Sequence, residues 1–191
     1  MARAFVAIAP PRDVLDAVGK VSWRAAHRPS ELALPRLLSP RWTTRGQWHL
    51  TVQFLGTRLD LDAAAEALAT VRAPSANVRL GGIGGFPTER RAQVLWIGVI
   101  EGGAALSVLA AAVESAMAPL VGEREALPFH PHLTLARLGR AADLRTAAAA
   151  WRGPIGPRWV ADRLVLFESV TAPTGARYRS HADVELPPRS A

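Results

Sequence analysis

Trp48-His49-Leu50-Thr51-Val52-Gln53-Phe54-Leu55-Gly56 and, 83 residues after His49, His132-Leu133-Thr134-Leu135-Ala136 are the stretches on which the fold turns. Each contains the same four-residue signature: His, an apolar residue, Thr, an apolar residue. Successive side chains on a β-strand point to opposite faces. Read as strands, each copy therefore offers an imidazole and a hydroxyl on one face and anchors itself in a core with the other. In the first copy Trp48, Leu50, Val52 and Phe54 point one way, and His49, Thr51 and Gln53 the other. Two such strands, one in each half of a 191-residue chain, would place two histidines and two threonines around a single cleft.

On either side of these stretches the pattern continues. Arg3 to Ala9 reads as a strand, and Pro10-Pro11 suits a helix start. Val14, Leu15, Val18, Val21 and Ala25 recur at helical spacing, predicting a helix from Arg12 to about Ala25. His27 to Gly46 holds three prolines without a clean period and reads as a loop, a lid or rim. After Gly56, Asp60 or Asp62 caps a helix running to about Arg72. Val78 to Ile83 and Ala92 to Ile100 read as strands around a turn-rich Gly84 to Arg91. A helix follows from Ala104 to Met117, with Leu106, Leu109, Val113 and Met117 inside. Beyond the second signature, Asp143 to Trp151 reads as a helix. Arg158 to Ala161, Asp162 to Val170 and Arg177 to Leu186 read as closing strands, with a hairpin turn at Pro173-Thr174-Gly175. The tail, Pro187 to Ala191, is expected to be disordered. Each signature strand is followed by a helix, as in a duplicated unit. The expected architecture is α+β over residues 1–191: one bilobal domain whose two antiparallel sheets, helices outside, flank a central cleft about a pseudo-twofold axis.

Composition limits the classes of function. The chain has no cysteine, which excludes disulfides and thiolate metal sites and makes a cytoplasmic location the simple reading. Its apolar start is shorter than a signal-peptide core. The best membrane candidate, Ala104 to Val121, is interrupted by Glu114 and Pro119, so no membrane association is expected. The net charge is +7, which favours an anionic partner. Lys20 is the one lysine among 23 basic residues; that bias also looks like codon composition, although arginine is the better planar clamp for a phosphate.

A pair of imidazoles is the simplest acid–base engine near neutral pH, because an unperturbed histidine titrates near 6.5. One neutral ring removes a proton from a nucleophile while the other, protonated, supplies one to a leaving oxygen. In-line displacement at phosphorus needs that arrangement, with donors such as two threonine hydroxyls for the equatorial oxygens. A metal centre is disfavoured, because neither signature carries the carboxylate or third histidine that should accompany such ligands. His27 and His181 lack this setting and read as surface or packing residues.

The paired motifs resemble the two-histidine phosphoesterase superfamily, in particular its RNA 2′,3′-cyclic phosphodiesterase branch, also called the 2′-5′ RNA ligase family. Supporting segments run through almost the whole chain: Arg3-Ala4-Phe5-Val6-Ala7, Gly85-Phe86-Pro87 before Val94-Leu95-Trp96-Ile97-Gly98, Pro131-His132 to Arg137, and Phe167-Glu168-Ser169 before Gly175-Ala176-Arg177-Tyr178. The resemblance implies a bilobal fold, no metal or other cofactor, and hydrolysis of RNA 2′,3′-cyclic phosphate ends, or related cyclic nucleotides, to 2′-phosphates by a monomer. It implies that His132 activates water, that His49 protonates the departing O3′, and that Thr51 and Thr134 bind phosphate oxygens. Arg137 would contact the phosphate, and Phe54 would stack on the terminal base. Strict alternation puts Phe54 and Arg137 opposite their histidines, so either strand twist or a strand end brings them round, or they are merely core and surface residues. One departure is visible. Two residues before the second motif histidine stands His130, where many relatives have arginine; Arg41 or Arg45 is a candidate to substitute, and His130 reads either as a further titrating group beside the substrate or as an exposed loop residue. The alternatives to hydrolysis are 2′-5′ joining of RNA ends by the reverse displacement, a small cyclic-nucleotide phosphodiesterase, and a non-catalytic RNA-binding module.

Overall fold

The period-2 runs become strands of two antiparallel sheets. In this computed structural model, which describes residues 3–36, 39–57, 59–121, 128–172 and 175–189, the elements are β1 (Arg3–Ile8), α1 (Arg12–His27), β2 (Arg41–Trp42), β3 (Leu50–Thr57), α2 (Leu61–Ala69), β4 (Ala76–Phe86), β5 (Ala92–Glu101), α3 (Gly103–Val121), β6 (His132–Ala142), α4 (Arg145–Ala150), β7 (Pro154–Ala161), β8 (Arg163–Ala172) and β9 (Gly175–Glu185). The first sheet has the order β3-β1-β8-β9 and the second β2-β6-β5-β4-β7. In each sheet the signature strand pairs antiparallel with the strand one helix earlier in the chain, β3 with β1 and β6 with β5. The units β1-α1-β3-α2 and β5-α3-β6-α4 repeat the expected duplication.

The core lies between the sheets and the helices. The helical periodicity of α1 buries Val14, Val18, Val21 and Ala25, and that of α3 buries Leu106, Leu109, Val113 and Met117. α1 packs on β7 and α3 on β3, so one continuous apolar cluster joins both sheets. By length and composition α3 could cross a membrane, but its Leu106-Leu109-Val113-Met117 row is taken up by this core. Asp60 is the cap of α2, its carboxylate accepting from the N–H groups of Asp62 (3.0 Å) and Ala63 (3.1 Å); two of the orphan donors of the first turn are thereby satisfied.

Three local expectations change. The segment before the first signature is not simply a loop: it forms single helical turns at Pro29–Leu32 and Arg45–Gln47, and between them β2 adds to the edge of β6. The turn-rich Gly84–Phe86 stretch continues β4, paired with β5 as far as Phe86. The tail begins tied down, with the carbonyl of Pro187 accepting from Ser75 N–H at 2.8 Å; its last two residues, and the hairpin turn expected at Pro173 and Thr174, lie outside the described residues.

Candidate active site

Leu50, Val52, Leu133 and Leu135 are buried in the core, which leaves His49, Thr51, His132 and Thr134 on the opposite faces of their strands. The two imidazoles are held identically. Nδ1 of His49 donates to the carbonyl of Gln47 at 2.8 Å, and Nδ1 of His132 donates to the carbonyl of His130 at 2.7 Å. A carbonyl can only accept, so in each neutral ring Nδ1 carries the hydrogen and Nε2 keeps the lone pair. The Thr51 hydroxyl lies 2.9 Å from His49 Nε2.

Strict alternation fails one step beyond each signature, and a β-bulge is the reason. On β6 the register with β5 shifts between the Leu95↔Ala136 and Trp96↔Thr134 pairs, leaving Leu135 as the extra residue. On β3 it shifts at Val52, between Gln53 and Thr51, and again at Leu55. A one-residue insertion exchanges the faces of every residue after it. Leu135 and Ala136 are therefore both buried, and Arg137 emerges on the face of His132. Leu55 takes the core position expected of Phe54, while Phe54 is 62% exposed and stands opposite Phe5, ring centroids 6.2 Å apart. Arg137 and Phe54 thus both reach the site side, each five residues after its histidine.

The bulge on β6 is clamped from the first half of the chain. The Thr43 hydroxyl donates toward the carbonyls of Thr134 (2.7 Å) and Leu135 (2.9 Å), and Thr43 N–H donates to the Leu135 carbonyl (2.8 Å). The Trp48 indole N–H donates to the Thr43 hydroxyl at 2.9 Å. The residue before His49 thereby helps fix the strand that carries His132. β2 also sets Arg41 directly opposite Arg137, and directly opposed residues share a face. Of the two candidate arginines, Arg41 is the one that lies beside Arg137. Arg45 is committed elsewhere, to Asp16 and the carbonyl of Arg12.

Each imidazole sits in an aromatic bed. Phe5 stacks on His49 at 4.8 Å and Tyr178 meets it edge-on at 5.2 Å. Phe86 meets His132 edge-on at 4.7 Å, with Trp96 and His130 beyond. Burial pulls His49 down to about 4; the Gln47 carbonyl opposes this and the charge of His132 adds to it. His132 is also lowered, by burial first, against its His130 carbonyl bond and together with the charges of His130 and Arg137. Burial raises Tyr178, with Arg137 opposing. The charges of His132 on His49, of Arg137 on His132 and of Arg137 on Tyr178 are thus near enough to be felt pair by pair. His27 is stacked on Trp23, and His181 is paired with Asp62 at 3.0 Å. Among the described residues no group of three or more His, Cys, Asp or Glu side chains is arranged to hold a metal ion. Phe5, Tyr178, Trp96 and Thr43 are site features that the histidine pattern did not reveal. Phe5 and Trp96 lie on strands that pair with the signature strands, whereas Tyr178 comes from β9, two strands beyond β1 in the first sheet.

A family model described as the 2′-5′ RNA ligase superfamily matches residues 18–172. The chain is 35% identical over 99 residues to the RNA 2′,3′-cyclic phosphodiesterase of Aeropyrum pernix, covering 51% of this chain and 56% of that protein. It thus spans little more than half of that relative. With the RNA 2′,3′-cyclic phosphodiesterase of Escherichia coli K12 it is 31% identical over 137 residues, 71% of each. Among solved structures it resembles E. coli LigT in apo form, at 27% identity, 97% coverage of both chains and a TM-score of 0.72. It shares its fold with TT0787 of Thermus thermophilus, at 24% identity, 98% and 100% coverage and a TM-score of 0.76.

Proposed function

The chain belongs to the 2′-5′ RNA ligase superfamily, and on that footing we propose that it hydrolyses RNA 2′,3′-cyclic phosphate ends to 2′-phosphates with two histidines and no metal. The observation that carries the reading is the pair of imidazoles, each pinned through Nδ1 to a carbonyl two residues earlier so that both keep Nε2 for chemistry. Relatives named for this activity and a LigT structure complexed with 3′-AMP support the substrate class.

In this reading the substrate phosphorus lies between the rings. The base imidazole takes a proton from water as the water oxygen bonds to phosphorus. The P–O3′ bond breaks in line, and the acid imidazole gives its proton to O3′, leaving a 3′-hydroxyl and a 2′-phosphate. Arg137, Arg41, Thr51 and Thr134 supply donors to the equatorial oxygens, and Phe54 offers its exposed ring to a base. His49 is the more deeply enclosed ring, so a single proton in the site resides on His132. That favours His132 as the acid and His49 as the base, the reverse of the division that the sequence resemblance implies.

The test is product analysis on a short RNA ending in a 2′,3′-cyclic phosphate, with a chelator present and a 5′-hydroxyl RNA added. A 2′-phosphate product from the wild type is expected. Loss of turnover by roughly 10²–10⁴ is expected in both His49→Ala and His132→Ala. Activity surviving in both variants, or a strict need for added divalent metal, would refute the reading; a joined product would shift it to 2′-5′ ligation.

A further inference from the structure

Beside His130 lies a cavity of about 380 Å³. It contains no residue of either histidine signature, yet two of its lining residues, His130 and Trp96, pack near His132. The His130, His132 and Trp96 rings form one cluster, with centroids 6.4 Å (His130–His132), 4.9 Å (His130–Trp96) and 6.2 Å (Trp96–His132) apart. Trp151, Arg145, Arg152 and Glu89 also line the cavity.

The cavity is built into the sheet. Trp96 lies flat on Gly84, where a Cβ would come within 2.2 Å of its ring. Trp151 is fixed at both backbone groups, its N–H to the carbonyl of Ala147 at 2.9 Å and its own carbonyl to the N–H of Ile83 at 3.1 Å. Gly153 docks beside it through a 3.3 Å bond from Gly82 N–H. Gly81 permits that approach, since a Cβ there would stand 2.6 Å from the Gly153 oxygen. Two indoles lining one cavity offer rings to stack on, and every nucleobase has a face for one. Of the two arginines, Arg145 is paired with Asp143 at 2.7 Å, while Arg152 has no ion-pair partner among the described residues and is free for a phosphate. Glu89 can accept from an exocyclic amine.

We propose that this cavity binds the nucleotide that precedes the terminal cyclic phosphate in the RNA strand, its base on the indoles and its phosphate at Arg152. The inference rests on the function proposed above. That reading sets His132 beside the departing O3′ of the terminal ribose, the residue to which the preceding nucleotide is joined. An enzyme with such a subsite prefers oligonucleotide ends to cyclic mononucleotides.

The experiment compares kcat and KM for adenosine 2′,3′-cyclic phosphate and for the dinucleotide ApA carrying the same cyclic end. The proteins are the wild type, Arg152→Ala, Trp151→Ala and Trp151→Phe. The wild type should favour the dinucleotide by roughly ten-fold or more in kcat/KM, the scale of one stacked base. Arg152→Ala and Trp151→Ala should erase that preference through KM, whereas Trp151→Phe, which keeps a ring, should retain most of it. Equal efficiency on both substrates in the wild type, or an unchanged preference in Arg152→Ala, overturns the subsite while leaving the proposed hydrolysis standing. Turnover of neither substrate overturns the hydrolysis itself. Because Arg152 is an exposed residue, its variant keeps the test valid even if Trp151→Ala fails to fold.

Discussion

His49 shows how much one side chain owes to its surroundings. Its ring is stacked on Phe5, edged by Tyr178 and bonded to the Gln47 carbonyl, so its charged form loses hydration that the one carbonyl bond only partly offsets. With its pKa lowered from 6.5 to about 4, the unfolded chain binds the proton that the folded one refuses between those values. Stability from this residue is therefore complete above pH 6.5 and falls as pH drops toward 4. Denaturant unfolding at a series of pH values should show a smaller loss over that window in His49→Ala than in the wild type; parallel curves would refute the assignment. The division of labour can be read from single side chains too. A substrate with sulfur in place of O3′ has a leaving group that needs no proton. It should restore much of the turnover lost in His132→Ala and little of that lost in His49→Ala, and the opposite pattern would return the acid role to His49.

Among the strands, the bulge at the last residue of each signature does the aiming. Period-2 reading located His49 and Thr51 correctly relative to Leu50 and Val52, and the same for the second copy. It misplaced Phe54 and Arg137, because nothing in Val52-Gln53-Phe54-Leu55 or Leu135-Ala136-Arg137 marks an extra residue, and both runs remain apolar enough to satisfy either register. The choice on β6 is made by its neighbours: Thr43 holds the carbonyls of Thr134 and Leu135, and the Trp48 indole N–H holds the Thr43 hydroxyl. Thr43→Val keeps the shape and removes the hydroxyl. It should cost roughly 1–3 kcal/mol of stability through the unpaired indole N–H and the weakened carbonyl bonding. It should also lower kcat/KM by misdirecting Arg137. Thr43→Ser, which keeps the oxygen, should restore both. Rescue of stability without rescue of activity would separate the clamp from the site.

Across the molecule, the duplicated units each supply one signature strand, and the chain as a whole carries a surplus of positive charge. The +7 charge and the exposed Arg41 and Arg137 predict a measurable salt dependence. KM for a cyclic-phosphate oligonucleotide should rise between about 50 and 200 mM salt, with kcat little changed, because phosphate contacts release counterions. A KM independent of salt would count against RNA as the anionic partner. The arrangement also explains why the two halves cannot be read separately. β2 comes from the first half yet closes the edge of the second sheet, and α3, from the second unit, covers the first signature strand.

Local pattern alone was enough to establish most of the elements, the duplicated signature, the two candidate histidines with their threonines, and the family resemblance, because side-chain period, turn residues and motif spacing are properties that the backbone carries wherever it goes. Packing was needed for whatever depends on contact between distant segments: the depressed histidine pKa values, the faces taken by Phe54 and Arg137, the placement of Arg41 beside Arg137, and the cavity beside His130. Burial and register are set by which strand lies alongside, and that is fixed only when residues far apart in the chain come together.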